Sequence, residues 1–375
     1  MKTVLGFAAG LMLGLLPAGQ AAAQSVTDCP LRTAPFSIDL PLVDVLTSPA
    51  ARGAVDGTLP EALTVLPPRF FSTRAPTFAA ILTLRSLADM KGLSQAKLAA
   101  ADTALRALPV TAADRVARCE RYDNDRPAFD LPKGKPSVLV FEKMTGFRDG
   151  PSVDAARAAL QAIGARLGWT VVVTGKGGAI TPPVLRRFDA VVWNNVSGDV
   201  LTMSQRAALK AYVEGGGGFI GIHGAAGDPA TFWDWYTDGL IGARFAGHPM
   251  KPQFQDARVV VEGRDSPLAR GLPAEWLMRD EWYSFRANPR DSGARIVATL
   301  DEGSYAPVGS EGQSLRMGDH PIAWTRCVGR GRMFYTAIGH MPEAYAEPNN
   351  ATMLENAVRW AAAKGAACDA SAPAR

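Results

Sequence analysis

From Ser137 onward the chain alternates two hydrophobic periods, and that alternation constrains its fold more than any other feature. "SVLVFE", "WTVVVTG", "DAVVWNN" and "GFIGIHG" read as strands, while "SVDAARAALQAIGARLG", with Ser152 as its cap, and "SQRAALKAYVEGG" carry helical spacing between them. Strands separated by helices imply parallel βαβ units and a doubly wound sheet. "ARVVVEG", "ARIVATL", "HPIAWTR" and "GRMFYTAIGH" continue that sheet, some of them antiparallel, and "NNATMLENAVRWAAAKG" forms a final helix. In such sheets ligands bind beyond the carboxyl ends of the strands, so the loops that follow the strands hold the candidate site.

The rest of the chain divides around this region. Residues 1–23 place Lys2 ahead of an apolar run, Val4 to Leu16, that stops at Pro17 and ends in small residues. This is the pattern of a secretory signal peptide cleaved after Ala23. A membrane span needs about 20 apolar residues, so the mature chain is expected in the periplasm or outside the cell and not as an integral membrane protein. Residues 24–131 read as a small helical region with N-caps at Ser94 and Thr111; it lacks histidine and polar clusters, which points to a structural or docking role. Residues 132–136 form a linker, 137–365 the α/β domain and 366–375 a tail. Export makes the four cysteines candidates for disulfides, with Cys29–Cys119 and Cys327–Cys368 the favoured pairs because each ties the ends of a contiguous region. A net charge of +4, without long runs of either sign, gives no nucleic-acid footprint and suits small or neutral partners.

Five strand-end stretches hold chemistry. "KMTGFRDGPS" sets Arg148 and Asp149 before a helix N-terminus, where they either contact substrate or cap the helix. "WNNVSGD" offers Asn194 and Asn195, amides that bind hydroxyl-rich ligands or close a turn. In "GIHGA", small residues flank His223 as they flank the nucleophile of a strained elbow, a turn that leaves the next backbone N–H free as an oxyanion donor. "RDEWYSF" puts Asp280 and Glu281 before Trp282 and Tyr283, an aromatic wall for a sugar. "IGHMPEAY" ends a strand on His340, with Tyr345 in the following turn. His223, His340 and Glu281 would form an acid-base set or, alternatively, a site for a divalent metal, although no compact ligand motif demands one. His248 falls in a loop able to close over the site, and His320 starts a strand.

In their order, "TGFRDGPS", "DAVVWNN", "GGGFIGIHGA", "DEWYSF", "HPIAWTR" and "GRGRMFYTAIGH" resemble the ThuA-like (trehalose-utilisation) family. The resemblance implies a flavodoxin-like three-layer α/β/α sandwich, related to class I glutamine amidotransferases but without their catalytic cysteine. It also implies a role in sugar catabolism, with oxidised (keto) glycosides among the substrates. Many relatives carry histidine after the "GFR" triplet, where this chain has Asp149.

Three functions fit these residues. The first is an exported hydrolase, lyase or isomerase of a small carbohydrate, with His223 and His340 as acid and base, Glu281 or Asp280 as carboxylate partner and Asn195 orienting the substrate. The second is a non-catalytic sugar-binding module that uses Trp193, Trp282 and Tyr283 as stacking surfaces. The third is an envelope scaffold docked through the helical region. The pattern leaves the substrate, the cofactor and the oligomeric state open.

Overall fold

The computed structural model describes residues 26–363 and Cys368. The signal peptide expected at 1–23, and the tail expected at 366–375 apart from Cys368, lie outside the described residues.

The α/β region forms a nine-stranded sheet. Five strands are mutually parallel: β1 (Ser137–Phe141), β2 (Thr170–Thr174), β3 (Ala190–Asn194), β4 (Gly218–Ile222) and β11 (Gly331–Thr336), in the order β2-β1-β3-β4-β11. This is the flavodoxin-like order. β1, β3, β4 and β11 are buried at every residue, which is why their sequences are mainly apolar and do not alternate, with Asn194 and Arg332 among the buried polar exceptions. Helices α6 (Gly150–Leu167), α7 (Pro182–Leu185) and α8 (Met203–Glu214) make the crossovers, and α9 (Pro348–Ala361) packs against β4 and β11. The cap of α6 is Asp149, whose side chain accepts the Ser152 N–H; the helix therefore starts one turn before the Ser152 expected from the sequence.

Beyond β11 the sheet turns antiparallel through β10 (Pro321–Val328), β9 (Arg295–Leu300), β6 (Phe254–Val261) and β7 (Glu275–Glu281). At about 4.8 Å per strand, a flat sheet would hold β7 roughly 19 Å from β11. The carboxyl end of β7 instead touches the loop after β11, so this extension curls back over the strand ends. Register shifts between β9 and β10, at Pro321, Ala323 and Trp324, mark a bend of the kind that bulges introduce. A two-stranded ribbon of β5 (Phe245–Gly247) and β8 (Ser284–Phe285) fixes the loop between β5 and β6 beside the end of β7.

The helical region holds α1 (Leu42–Leu46), α2 (Pro49–Thr58), α3 (Leu84–Lys91), α4 (Gln95–Arg106) and α5 (Ala112–Cys119) around its own apolar core, with Ser94 and Thr111 capping α4 and α5 as expected. Both expected disulfides are present, Cys29–Cys119 and Cys327–Cys368. The region docks on the α/β domain at the loop after β1, where the Thr77 N–H donates to the Thr145 carbonyl at 2.9 Å. Among the described residues no helix is long and apolar enough to cross a membrane.

Candidate active site

β4 ends at Ile222, and the chain enters a single 3₁₀ turn, His223–Ala226. His223 has φ +42° and Asn195, at the end of the adjacent β3, has φ +53°. Two neighbouring non-glycine residues in the left-handed region are strained, and such strain gathers at functional sites. The elbow differs from a nucleophile elbow in one respect. The Gly224 N–H, the expected oxyanion donor, is taken by Asn195 Oδ1 at 3.3 Å.

His223 Nδ1 lies 2.6 Å from the Ala337 carbonyl, and a carbonyl only accepts, so Nδ1 carries the proton. In the neutral ring Nε2 is then the free base. It points at Glu281 Oε2, 3.3 Å away, and at His340 Nδ1, 3.2 Å away. His340 Nδ1 stands 3.0 Å from the same Glu281 oxygen. The other carboxylate oxygen, Oε1, accepts from Gln253 Nε2 and lies 3.2 Å from His248 Nδ1. Three of the chain's four histidines therefore surround one buried carboxylate. Burial pushes the Glu281 carboxyl up, but the bonds it accepts from His223, when that ring carries both protons, and from His340, together with the charge of His248, outweigh it and hold the group well below the usual carboxylate range. Burial also works to lower His340, yet Glu281, Asp149 and Asp280 together raise it above the ordinary histidine value.

The atoms His223 Nε2, His340 Nδ1 and Glu281 Oε2 form a nearly equilateral triangle with edges of 3.2, 3.0 and 3.3 Å. Among the described residues these three make the group suited to a metal ion. His223, His340 and Glu281 would hold such an ion, and two-histidine, one-carboxylate sets leave further coordination positions open to a substrate oxygen. The donor set is thus compatible with zinc or another first-row divalent ion.

The remaining expected residues fall into two groups. Beside the triangle, the Tyr283 ring stacks on the His223 imidazole at 4.1 Å between centroids, and Asn195 donates to the Tyr345 hydroxyl at 3.1 Å, which in turn donates to the Gly339 carbonyl. Asp149 caps α6 and contributes its charge to His340. The others do structural work. Asp280 is fully buried and accepts from the backbone N–H groups of Gly339, His340 and Met341, so Glu281 alone is the carboxylate partner of the histidines. Asn194, also fully buried, donates to Glu142 and to the Val153 carbonyl. Trp282 is 0% exposed with its indole N–H on the Gln255 carbonyl, and Trp193 is buried between Phe219 and Tyr236. Neither tryptophan offers a face to a sugar, which corrects their expected stacking role. Arg148 lies exposed on its loop. His320 sits beneath the site, Nε2 donating to the Tyr283 carbonyl at 2.9 Å and Nδ1 facing Glu302 at 2.8 Å.

Sequence reasoning passed over Gln253, Phe147, Phe254 and Asp228. Phe147 stacks on His340 and Phe254 meets it edge-on. Asp228 accepts from the Ser197 hydroxyl and the Gly198 N–H. The spacing of Asp228 from His223 in "HGAAGD" and the place of Phe147 in "KMTGFRDGPS" were the signals available; Gln253 and Phe254 arrive through the curl of the sheet.

The chain matches the ThuA family, described as trehalose utilisation, over residues 137–361. A ThuA-like protein from Bacteroides uniformis superposes with a TM-score of 0.53 at 24% identity, covering 64% of this chain and 96% of its own. A second, from Parabacteroides merdae, gives a TM-score of 0.45 at 19% identity, covering 63% of this chain and 92% of its own. No curated relative matches the chain.

Proposed function

The chain belongs to the ThuA family, and from that premise we propose that it is an exported enzyme of carbohydrate catabolism, acting on a glycoside, keto-glycosides included, through His223, His340 and Glu281. The observation that carries this reading is the triangle of donor atoms at the strand ends. Burial of an ionised carboxylate is costly unless its partners compensate, and three histidines gathered on one carboxylate are more than packing requires. The family description supports a carbohydrate as substrate, and the two disulfides fit an oxidising compartment.

A divalent ion held by His223 Nε2, His340 Nδ1 and Glu281 Oε2 would polarise a sugar carbonyl or hydroxyl oxygen. The chain's own groups do the rest. The Ala337 carbonyl fixes the His223 tautomer so that Nε2 presents a lone pair, and Tyr283 holds the ring flat. Gln253 and His248 engage Glu281 Oε1, leaving Oε2 for the triangle. Asp280 sets the backbone from Gly339 to Met341 and so aims His340. Where a proton occupies the triangle instead, the neighbours of His340 favour its charged form, so His340 is the group that holds the proton to be donated, and His223 Nε2, a lone pair in the neutral ring, is placed to accept one. Hydrolysis, elimination and isomerisation next to a sugar carbonyl all need this pair of proton transfers.

Glutamine-dependent chemistry does not fit, since histidine holds the elbow and every cysteine lies in a disulfide. The test is turnover of a panel of oxidised and unoxidised glycosides by the mature chain, with and without added zinc or manganese, alongside His223→Ala and His340→Ala. Activity in the wild type that is lost in both variants supports the proposal. Sugar binding without turnover of any panel member would reduce the protein to a binding module.

A further inference from the structure

We infer that the helical region and the loop after β1 build a second sugar subsite, an aromatic platform of Phe78 and Phe147 that receives the neighbouring ring of a two-ring glycoside whose reacting ring lies at His340. This rests on the carbohydrate reading above and names the substrate's size. Four rings follow one another from the helical region to the site: Phe70 and Phe78 at 4.4 Å between centroids, Phe78 and Phe147 at 5.2 Å, Phe147 and His340 at 6.0 Å with the last two planes 27° apart. The run ends on a member of the donor triangle, so anything bound at the triangle has the platform as its neighbour.

Phe147 is 38% exposed, unusual for a phenylalanine, and its loop is built not to move. The Thr145 and Gly146 N–H groups donate to the Ser197 carbonyl at 3.0 and 3.1 Å, the Phe147 N–H donates to Ser197 Oγ at 3.1 Å, and Thr145 accepts from the Thr77 N–H. Gly146 allows this closeness, since a Cβ there would lie 2.6 Å from Ile81 of the helical region and 2.5 Å from Ser197 Oγ. The result is a partly exposed aromatic ring held on fixed backbone between Phe78 and His340, which lowers the entropy cost of binding. Aromatic faces suit the apolar C–H side of a pyranose, while hydroxyls at the ring edge stay in water. The fully buried Trp282 cannot play this part, and the platform supplies the stacking surface that the tryptophans do not. Phe147 lies inside the span matched by the family, whereas Phe78, in the helical region, lies outside it.

Calorimetric titration tests it with trehalose, maltose, cellobiose and glucose as probes against the full mature chain and its Phe147→Ala, Phe147→Leu, Phe78→Ala and His340→Ala variants, each first checked by thermal melting. At least one disaccharide is expected to bind more tightly than glucose, by up to about tenfold, and to lose that margin in Phe147→Ala and Phe78→Ala, with glucose affinity unchanged in Phe78→Ala. Phe147→Leu, which keeps bulk but not the ring, should recover only part of it. Equal affinity for one and two rings in the wild type, or disaccharide binding untouched by Phe147→Ala yet lost in His340→Ala, overturns the subsite and leaves the catalytic reading standing. Failure of all four sugars to bind the wild type overturns the subsite and leaves the catalytic reading to its own test on oxidised glycosides.

Discussion

Asp280 accepts the Gly339 N–H at 2.6 Å, joining the edge strand β7 to the loop that follows β11. The same carboxylate accepts from His340 and Met341, and no other side chain replaces it. Asp280→Ala strands three buried N–H groups, each costing about 1–3 kcal/mol, so destabilisation on the order of 3–5 kcal/mol is expected in urea unfolding. Asp280→Asn keeps one acceptor oxygen and should cost less. Both variants should also lose function while still folded at low temperature, because the clip aims His340 and adjoins Glu281. An Asp280→Ala chain as stable as wild type would remove the clip from this account.

The donor triangle predicts competition between a metal and a proton. His340 is raised above its ordinary value by Glu281, Asp149 and Asp280, which favours its protonated form, so an incoming ion competes with a proton there. Titration of zinc into chelator-treated protein should therefore show a heat that varies with the ionisation enthalpy of the buffer. Native mass spectrometry should find a stoichiometric ion in the wild type and none in His223→Ala, Glu281→Ala or His340→Ala. Gln253→Ala removes only an outer bond to Glu281 and should weaken the ion about 10- to 100-fold without abolishing it. Wild-type protein that takes up no divalent ion under these conditions would leave acid-base chemistry alone.

Much of this was legible in the sequence, and for identifiable reasons. Continuous apolar runs such as "SVLVF" and "GFIGI" announce strands buried on both faces, and His223 and His340 stand where such strands end. Glu281 was visible as a carboxylate, but its separation from Asp280 in role was not. Successive residues on a strand point to opposite sides, and only the curl of the antiparallel extension decides which side meets the histidines. The same curl hid His248 and Gln253, which reach Glu281 from the loop between β5 and β6. Trp282 misled because an aromatic beside a catalytic carboxylate looks the same in sequence whether it faces sugar or core. The helical region lacked any histidine or polar cluster, which concealed that it contributes a ring next to the site.

The two disulfides should differ in what they contribute. Cys29–Cys119 closes a loop of 90 residues and Cys327–Cys368 one of 41. Loop entropy in the unfolded chain then favours the first, at about 4.6 against about 3.9 kcal/mol. Denaturant unfolding of Cys29→Ala/Cys119→Ala and Cys327→Ala/Cys368→Ala should show the larger loss in the first pair. The first pair also has Tyr122 packed against it at the foot of the helical region, so its removal should loosen that region before the α/β domain. Hydrogen exchange that rises first in β1 or β4 instead would contradict this order.

Asp228 gives stability a pH dependence of its own. Burial pushes its carboxyl up to about 7, and the nearby charge of Asp199 adds to this against the bonds from Ser197 and Gly198. A carboxyl raised above its unfolded value of 3.8 stabilises the fold in its neutral form. That contribution is fully present at low pH and fades as pH rises through about 7, because the unfolded chain ionises more readily than the folded one. Asn in place of Asp228 mimics the neutral form, since its amide can donate to Ser197 Oγ while its carbonyl accepts the Gly198 N–H. Melting temperatures of wild type and Asp228→Asn should therefore lie closest below about pH 4 and draw apart progressively up to about pH 7, with the variant the more stable, as the linkage requires. Subtracting one curve from the other cancels groups common to both, His340 and Glu281 included. A difference that stays constant over this range would mean that Asp228 is already ionised in the folded protein near pH 5, with its bonds from Ser197 and Gly198 outweighing burial.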